Sequence, residues 1–99
     1  MKIVAVTACP TGIAHTYMAA EQLEKAARSL GHQIKLETQG AMGIENELTA
    51  ADVRNADLVI FAVDIEVEKK DRFEGKKILK VGVGEAIKNP AAVLARAGA

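Results

Sequence analysis

The chain has 99 residues, of which 49% are hydrophobic and 26% charged, so it is long enough to bury one core and too apolar for a disordered segment. Thirteen Lys and Arg residues balance thirteen Asp and Glu residues, and only three residues are aromatic. With no net positive charge and little stacking surface, the composition argues against a nucleic-acid partner. The single cysteine cannot form a disulfide within the chain, which excludes an internal dithiol redox cycle.

The longest apolar run, residues 58–63, is far shorter than the about 20 residues that a membrane-spanning helix needs. We expect no signal peptide before Lys2. We therefore expect a soluble, cytoplasmic protein.

The first third of the chain predicts a strand, a helix and a second strand. Lys2–Ala8 is apolar without alternation, which is typical of a parallel strand buried on both faces. A helix follows the segment after Cys9 and ends before Gly31, a C-terminal capping residue. Its apolar residues recur at helical spacing, namely Ala19, Leu23, Ala26, Ala27 and Leu30. His32–Thr38 alternates apolar residues with polar ones such as Glu37, which predicts a strand at the edge of the sheet with one solvated face.

The middle of the chain predicts a loop and a short helix. Gln39–Asn46 contains Gly40 and Gly43 and is predicted to be a loop. Thr49 with Asp52 three residues later predicts a helix N-terminus, and that helix should run to about Ala56.

The last part of the chain predicts two strands and a closing helix. Leu58–Val63 is a continuous apolar run and predicts a buried strand, and Ile78–Val81 predicts a short one. The charged stretch Glu66–Glu74 between them is interpreted as a solvated face that lies near Cys9. Residues 82–84 are interpreted as a turn, and Asn89 followed by Pro90 predicts a helix through Ala97.

These elements predict an α/β fold. It would contain an open four-stranded parallel sheet in the flavodoxin-like order 2-1-3-4, with helices on both faces. The topological switch would then fall between the first and third strands, where open α/β sheets bind ligands. The loops at that point begin at Cys9 and Asp64.

The segment from Cys9 to Thr16 carries the candidate chemistry. The backbone N–H groups of a tight loop and the positive end of the following helix would cradle a phosphoryl group and favour the thiolate of Cys9. Gly12 permits close backbone approach, and Thr11 and Thr16 can donate from their hydroxyl groups. We predict Cys9 as the nucleophile, with a phosphate-binding loop made of Thr11, Gly12, Ile13, Ala14, His15 and Thr16. No metal or cofactor is predicted.

The same residues also have purely structural interpretations. A lone cysteine at a strand end is often a small buried hydrophobic residue, and His15 is equally suited to a local hydrogen bond at a helix start. His32 is interpreted as solvated surface, and Tyr17 and Met18 as packing residues. The nucleotide-binding glycine motifs are absent from the sequence.

The octapeptide Cys-Pro-Thr-Gly-Ile-Ala-His-Thr at 9–16 resembles the active-site loop of fructose-type enzyme IIB (EIIB) components of the phosphoenolpyruvate-dependent sugar phosphotransferase system (PTS). The likeness covers nearly the whole chain. It continues through residues 18–20, 37–40, 48–49, 56–57, 62–64, 72–73 and 75–76.

The resemblance implies a single EIIB domain over residues 1–99, with a phosphocysteine intermediate. A phosphohistidine on a IIA partner would donate to Cys9, and the phosphocysteine would donate to a sugar held by a membrane IIC partner. The chain would thus be a protein-phosphohistidine–sugar phosphotransferase, cytoplasmic and associated with the membrane through IIC. Fructose is the family's default sugar, with mannose or a mannosyl derivative as the alternative.

The main alternative is an enzyme similar to low-molecular-weight tyrosine phosphatases, which place a C-x5-R-[ST] loop after the first strand. Here His15 stands where that loop has arginine, so the bidentate fork that would hold a phosphate is missing. The chain also lacks the Asp-Pro pair of the usual general acid. A non-enzymatic regulatory module would be favoured only if Cys9 were chemically inert.

Overall fold

The structure is a computed structural model that describes residues 1–10, 13–41 and 43–99. Its strands are β1 (Lys2–Ala8), β2 (Gln33–Gly40), β3 (Gly43–Glu45), β4 (Leu58–Val63) and β5 (Ile78–Val81). Its helices are α1 (Ile13–Ser29), α2 (Ala50–Arg54), α3 (Val83–Lys88) and α4 (Pro90–Ala97), and Lys70–Phe73 forms a 3-10 helix. Within the described ranges, no helix combines the length and the apolar character that crossing a membrane requires.

The strands form one mixed sheet of five in the order β3-β2-β1-β4-β5. Strand β1 pairs in parallel with β2 and β4, and β4 pairs in parallel with β5. The α/β class is confirmed, but the prediction of a purely parallel, four-stranded sheet is wrong. The segment predicted as a loop folds back so that β3 pairs antiparallel with β2, with Thr38 opposite Glu45. Strand β2 therefore has a paired strand on both sides at Thr38–Gly40 and is not the edge of the sheet there.

The hairpin between β2 and β3 depends on a glycine. Gly43 has a φ of 86°, in the left-handed region that residues with a side chain rarely adopt. Glycines at 40 and 43 indicate a chain reversal, but they do not reveal that the returning residues pair with β2. Only the backbone hydrogen bonds to β2 distinguish this short strand from a loop.

Alternate residues of the buried strands face two separate cores. Ile3 and Ala5 of β1 pack towards α1, α3 and α4, whereas Val4 and Val6 pack towards α2 and the 3-10 helix. The first core includes Ala19, Leu23, Ala27, Ile60, Ala86, Val93 and Leu94. The second includes Leu48, Val53, Val59, Phe61, Val67 and Phe73. Burial on both faces explains why β1 and β4 read as continuous apolar runs.

The predicted helix ends are confirmed in part. At α2, Thr49 and Asp52 form the reciprocal capping box, although the helix ends at Arg54 and not near Ala56. Pro90 occupies the first turn of α4 as predicted. The predicted turn at residues 82–84 is wrong, because helix α3 begins there.

The N-terminus of helix α3 lies next to the end of strand β4. The Val83 N–H donates to Asp64 Oδ1 at 3.2 Å, so an aspartate from the end of β4 caps this helix. Val83 and Ala86 are buried beneath it. Packing and a cap from elsewhere in the chain thus form a helix whose own sequence, with two glycines near its start, does not predict it.

Candidate active site

Cys9 lies at the carboxyl end of the central strand. It directly follows β1 and is 7% exposed. The Asp64 N–H donates to the Ala8 carbonyl at 3.0 Å, so the segments that leave β1 and β4 start side by side. The chain leaves these neighbouring strands towards opposite ends of the sheet, and the crevice between them is where open α/β sheets bind ligands.

The N-terminus of α1 follows four residues after Cys9 in the sequence. Helix α1 begins at Ile13, and its first N–H groups have no carbonyl partner within the helix. The Thr7 hydroxyl donates to the Thr16 carbonyl at 3.1 Å and ties the first turn of α1 to β1. A 17-residue helix carries a partial positive charge at this end, which favours an anion near it.

The residues predicted to bind phosphate have different surroundings. Thr11–Gly12 lies outside the described residues, and Ile13 begins α1. Ala14 and His15 are exposed on the first turn, whereas Thr16 is 2% exposed. The Thr16 hydroxyl oxygen has no hydrogen-bond partner within the described ranges. Thr16 lines a narrow depression against β2 that is adjacent to, and distinct from, the one at Cys9.

Cys9 opens into a shallow depression of about 250 Å³. Its walls come from three segments: the residues after β1, the end of β2 and the segment after β4. The lining residues are Cys9, Pro10, Gln39, Gly40, Ala41, Ile65, Glu66 and Glu68. The charged segment after β4 lies near Cys9, as the sequence indicated. The wall formed by residues 39–41 was not predicted, because those residues were expected to form a loop.

A buried ion pair lies behind this depression. Glu37 is fully buried, and the Arg72 guanidinium donates to it twice, from Nη1 to Oε1 at 2.5 Å and from Nη2 to Oε2 at 3.0 Å. The Leu48 N–H and Gln39 Nε2 donate to the same carboxylate at 2.7 and 2.6 Å. The prediction that Glu37 lies on a solvated face is therefore wrong. The prediction of a solvated face at Glu66–Glu74 is wrong for Val67 and Phe73, which are buried.

The hydrogen bonds keep both members of the pair charged. Burial alone would raise the pKa of Glu37, but hydrogen bonds from Arg72, Leu48 and Gln39 outweigh it and hold the pKa below its ordinary value. The hydrogen bond to Glu37 raises the pKa of Arg72 above its ordinary value. The Arg72 guanidinium carbon also lies 5.0 Å from the centre of the Phe73 ring. The pair thus joins β2 firmly to the 3-10 helix.

In residues 1–10, 13–41 and 43–99, no three His, Cys, Asp or Glu side chains are grouped so that they could hold a metal ion. The chemistry that these residues offer near Cys9 is that of a nearly buried thiol, backbone N–H groups and a helix N-terminus.

The fold and the site define a class of protein: an open α/β domain with a cysteine at the topological switch point of its sheet. Residues 4–96 match the family model described as "PTS system, Lactose/Cellobiose specific IIB subunit". The chain therefore belongs to the PTS IIB family, and the resemblance found in the sequence is confirmed.

Two relatives and a solved structure carry fructose-type names. The "PTS system fructose-like EIIB component 2" of Escherichia coli strain K12 is 54% identical over 95 residues, which cover 96% of this chain and 90% of that protein. The "PTS system fructose-specific EIIB'BC component" of Vibrio cholerae is 55% identical over 97% of this chain, but the match spans 16% of that longer protein. A crystal structure of a domain from the fructose-specific IIABC component of Borrelia burgdorferi superposes with a TM-score of 0.92 and is 49% identical, covering 97% of this chain and 91% of that one.

Proposed function

We propose that the chain is a fructose-type EIIB phosphocarrier that acts through a phosphocysteine at Cys9. The observation that carries the proposal is the position of the chain's single thiol, nearly buried at the carboxyl end of β1 and close in sequence to the N-terminus of α1. Membership of the IIB family and the names of the fructose-type relatives support it. In this proposal residues 1–99 form one EIIB domain that needs no cofactor.

The proposed reaction has two transfers. The sulfur of Cys9 attacks the phosphorus of a phosphohistidine on a IIA partner, so that an S–P bond forms and the N–P bond breaks. The proton given up by the thiol passes to the imidazole, which leaves as neutral histidine. A sugar hydroxyl bound by a membrane IIC partner then attacks the same phosphorus. The S–P bond breaks, the cysteine leaves as thiolate, and the hydroxyl proton passes to a base on the sugar-binding side. Each transfer exchanges one bond to phosphorus for another.

The phosphoryl group would be held mainly by backbone N–H groups of the segment from Thr11 to Thr16. The first turn of α1 supports this role, since its N–H groups have no intrahelical acceptors and the helix dipole stabilises negative charge there. The Thr16 hydroxyl is a further proposed donor, because it is buried without a partner within the described ranges.

The IIA donor is proposed to dock over the segment that follows β4. Cys9 is too buried for a phosphohistidine to reach it without close contact between the two proteins. Ile65 is 38% exposed on the rim of the Cys9 depression, and Pro10 is exposed beside it. An exposed apolar side chain at the mouth of a site, bordered by charged residues, suits a transient protein contact.

The experiment is reconstitution with phosphoenolpyruvate, the general phosphotransfer proteins, a fructose-type IIA and membranes that contain a matching IIC. Sugar phosphate should form with wild-type protein and should be abolished by Cys9→Ser, because a serine hydroxyl is not ionised at neutral pH without an adjacent base. Thr7→Ser is the matched control, because it keeps the hydroxyl donor that holds α1. Sugar phosphorylation by Cys9→Ser at the wild-type rate would contradict the proposal.

His15 provides a test against the phosphatase alternative. A carrier must protect its phosphocysteine from water, and an imidazole offers less positive charge to the developing transition state than a guanidinium. His15 is exposed on the first turn of α1, so arginine can replace it without disturbing the core. We expect His15→Arg to shorten the lifetime of the isolated phosphoprotein, whereas His32→Arg, just before β2, should not. Equal lifetimes would limit His15 to shaping the loop.

A further inference from the structure

Gln39 makes an unusual set of hydrogen bonds next to Cys9. It is the seventh residue of β2, lies opposite Ala8 of β1 and is 2% exposed. Its side-chain oxygen accepts from the Glu68 N–H at 2.8 Å, and its side-chain nitrogen donates to the Glu68 carbonyl at 3.2 Å. The amide of Gln39 therefore satisfies both backbone groups of Glu68, as a neighbouring strand would.

The orientation of this amide is fixed by the buried ion pair. Gln39 Nε2 also donates to Glu37 Oε2 at 2.6 Å, so the side-chain nitrogen must face the carboxylate and the oxygen must face the Glu68 N–H. Arg72 holds the same carboxylate from the other side and donates from Nη2 to the Glu68 carbonyl at 3.1 Å. Every polar group in the set has a partner, which is the condition for a buried network to be rigid.

The segment held by this network has a strained backbone. Lys69 has a φ of 58°, a left-handed conformation that is uncommon for a residue with a side chain. Its carbonyl accepts from Arg72 Nε at 2.8 Å. Such a conformation persists where surrounding contacts impose it. The hydrogen bonds from Gln39 and Arg72 to residues 68 and 69 are contacts of that kind.

The held segment is also a wall of the Cys9 depression. Ile65, Glu66 and Glu68 line it, and the segment is anchored at its start by the hydrogen bond from Asp64 N–H to Ala8. Gln39 lines the same depression. The two hydrogen bonds between the Gln39 side chain and the Glu68 backbone, called the clamp below, therefore join the end of β2 to the wall formed by residues 65–68.

We infer that Gln39 is a positioning residue: by clamping Glu68 it keeps residues 65–68 in the shape that the phosphoryl donor protein contacts above Cys9. This inference rests on the proposed function, since it assigns a role in the approach of that donor. Loss of the clamp should weaken recognition of the donor, because a loosened wall must be reordered when the partner docks. It should affect the maximal rate of transfer much less, because Cys9 itself is fixed by β1.

The test uses Gln39→Met, which keeps the length of the side chain but removes its hydrogen bonds to Glu68. Gln33→Met is the matched control, because Gln33 is exposed at the start of the same strand. Val93→Ala is a second control, a cavity in the fully buried part of α4 that lowers stability without touching the clamp. Two quantities are measured: hydrogen exchange of the Glu68 amide by NMR, and phosphorylation of Cys9 against the concentration of phosphorylated IIA.

Gln39→Met should exchange the Glu68 amide about tenfold faster than wild type, as expected for loss of one ordinary hydrogen bond. It should raise KM for the donor by roughly threefold to tenfold, while kcat stays within about twofold. Gln33→Met should change neither quantity. Val93→Ala should leave KM unchanged, because any loss of folded protein lowers only the apparent kcat.

Three results would overturn the inference, and they can be told apart. Unchanged exchange at Glu68 would show that the clamp does not hold that residue. Faster exchange with an unchanged KM would reduce Gln39 to a purely structural residue. Absence of phosphorylation in wild-type protein would reject the proposed function itself, and the positioning role with it.

Discussion

Arg72→Ala is the substitution whose cost the structure defines best. The variant would leave the fully buried Glu37 carboxylate without its two guanidinium hydrogen bonds. It would also remove a donor from each of the carbonyls of Leu48, Glu68 and Lys69. Because the Arg72 side chain is only 11% exposed, solvent replaces these bonds poorly, and removing one partner of such a pair costs about 3–5 kcal/mol.

That cost is a large share of the about 5–15 kcal/mol that stabilises a domain of ordinary size. With a urea slope of about 1–3 kcal/mol/M, a loss of about 4 kcal/mol moves the unfolding midpoint by roughly 1.3–4 M. The assay is urea unfolding followed by far-UV circular dichroism. Arg54→Ala is the control, because Arg54 is exposed at the end of α2 and its removal should cost less than about 0.5 kcal/mol.

Arg72→Lys separates charge from geometry. Lysine keeps the positive charge but cannot form the two parallel hydrogen bonds, so its stability should lie between those of wild type and Arg72→Ala. This variant also keeps the test informative if Arg72→Ala does not fold. A loss below about 1 kcal/mol for Arg72→Ala would refute the conclusion that the buried carboxylate depends on Arg72.

Two further predictions concern stability. The hydrogen bond from Lys35 lowers the pKa of Asp52 to about 2, so its contribution is complete above the ordinary pKa and is lost as the pH falls towards 2. Because this pair is partly exposed, its contribution to the unfolding free energy should be below about 1 kcal/mol. The difference in unfolding free energy between wild type and Asp52→Asn should therefore shrink on acidification. A difference that stays constant with pH would contradict this prediction. A Cβ at Gly82 would lie 3.3 Å from Asp64 Oδ1, whereas one at Gly84 would meet nothing within 4 Å. Gly82→Ala should therefore lower the free energy of unfolding by up to about 1 kcal/mol, because it disturbs the cap of α3, whereas Gly84→Ala should raise it by about 0.5 kcal/mol. If thermal unfolding ranks the two variants in the opposite order, the capping role of Asp64 is rejected.

The sequence predicted features that depend on nearby residues. The capping box of α2 lies within four residues, and Pro90 specifies the start of α4 by its own φ angle and missing N–H group. The buried strands β1 and β4 were predicted because burial on both faces leaves a continuous apolar run. The candidate nucleophile Cys9 was predicted for a similar reason, since its position follows from where β1 ends.

The features that were missed depend on distant residues. Glu37 alternates with apolar neighbours as a solvated residue would, and its burial depends on Arg72, which lies 35 positions away. The clamp from Gln39 spans 29 positions to Glu68. No local pattern reports such pairs, so the sequence indicated the chemistry at Cys9 but not the network that shapes the wall beside it.

The most direct test of the account uses the fact that the chain has one cysteine. Wild-type protein is phosphorylated to partial extent by phosphorylated IIA, treated with iodoacetamide and analysed as intact protein by mass spectrometry. If the phosphoryl group is on Cys9, each molecule should carry either one phosphoryl group or one alkyl group, and none should carry both. Molecules that carry both modifications would place the phosphoryl group on another residue and contradict the phosphocysteine mechanism.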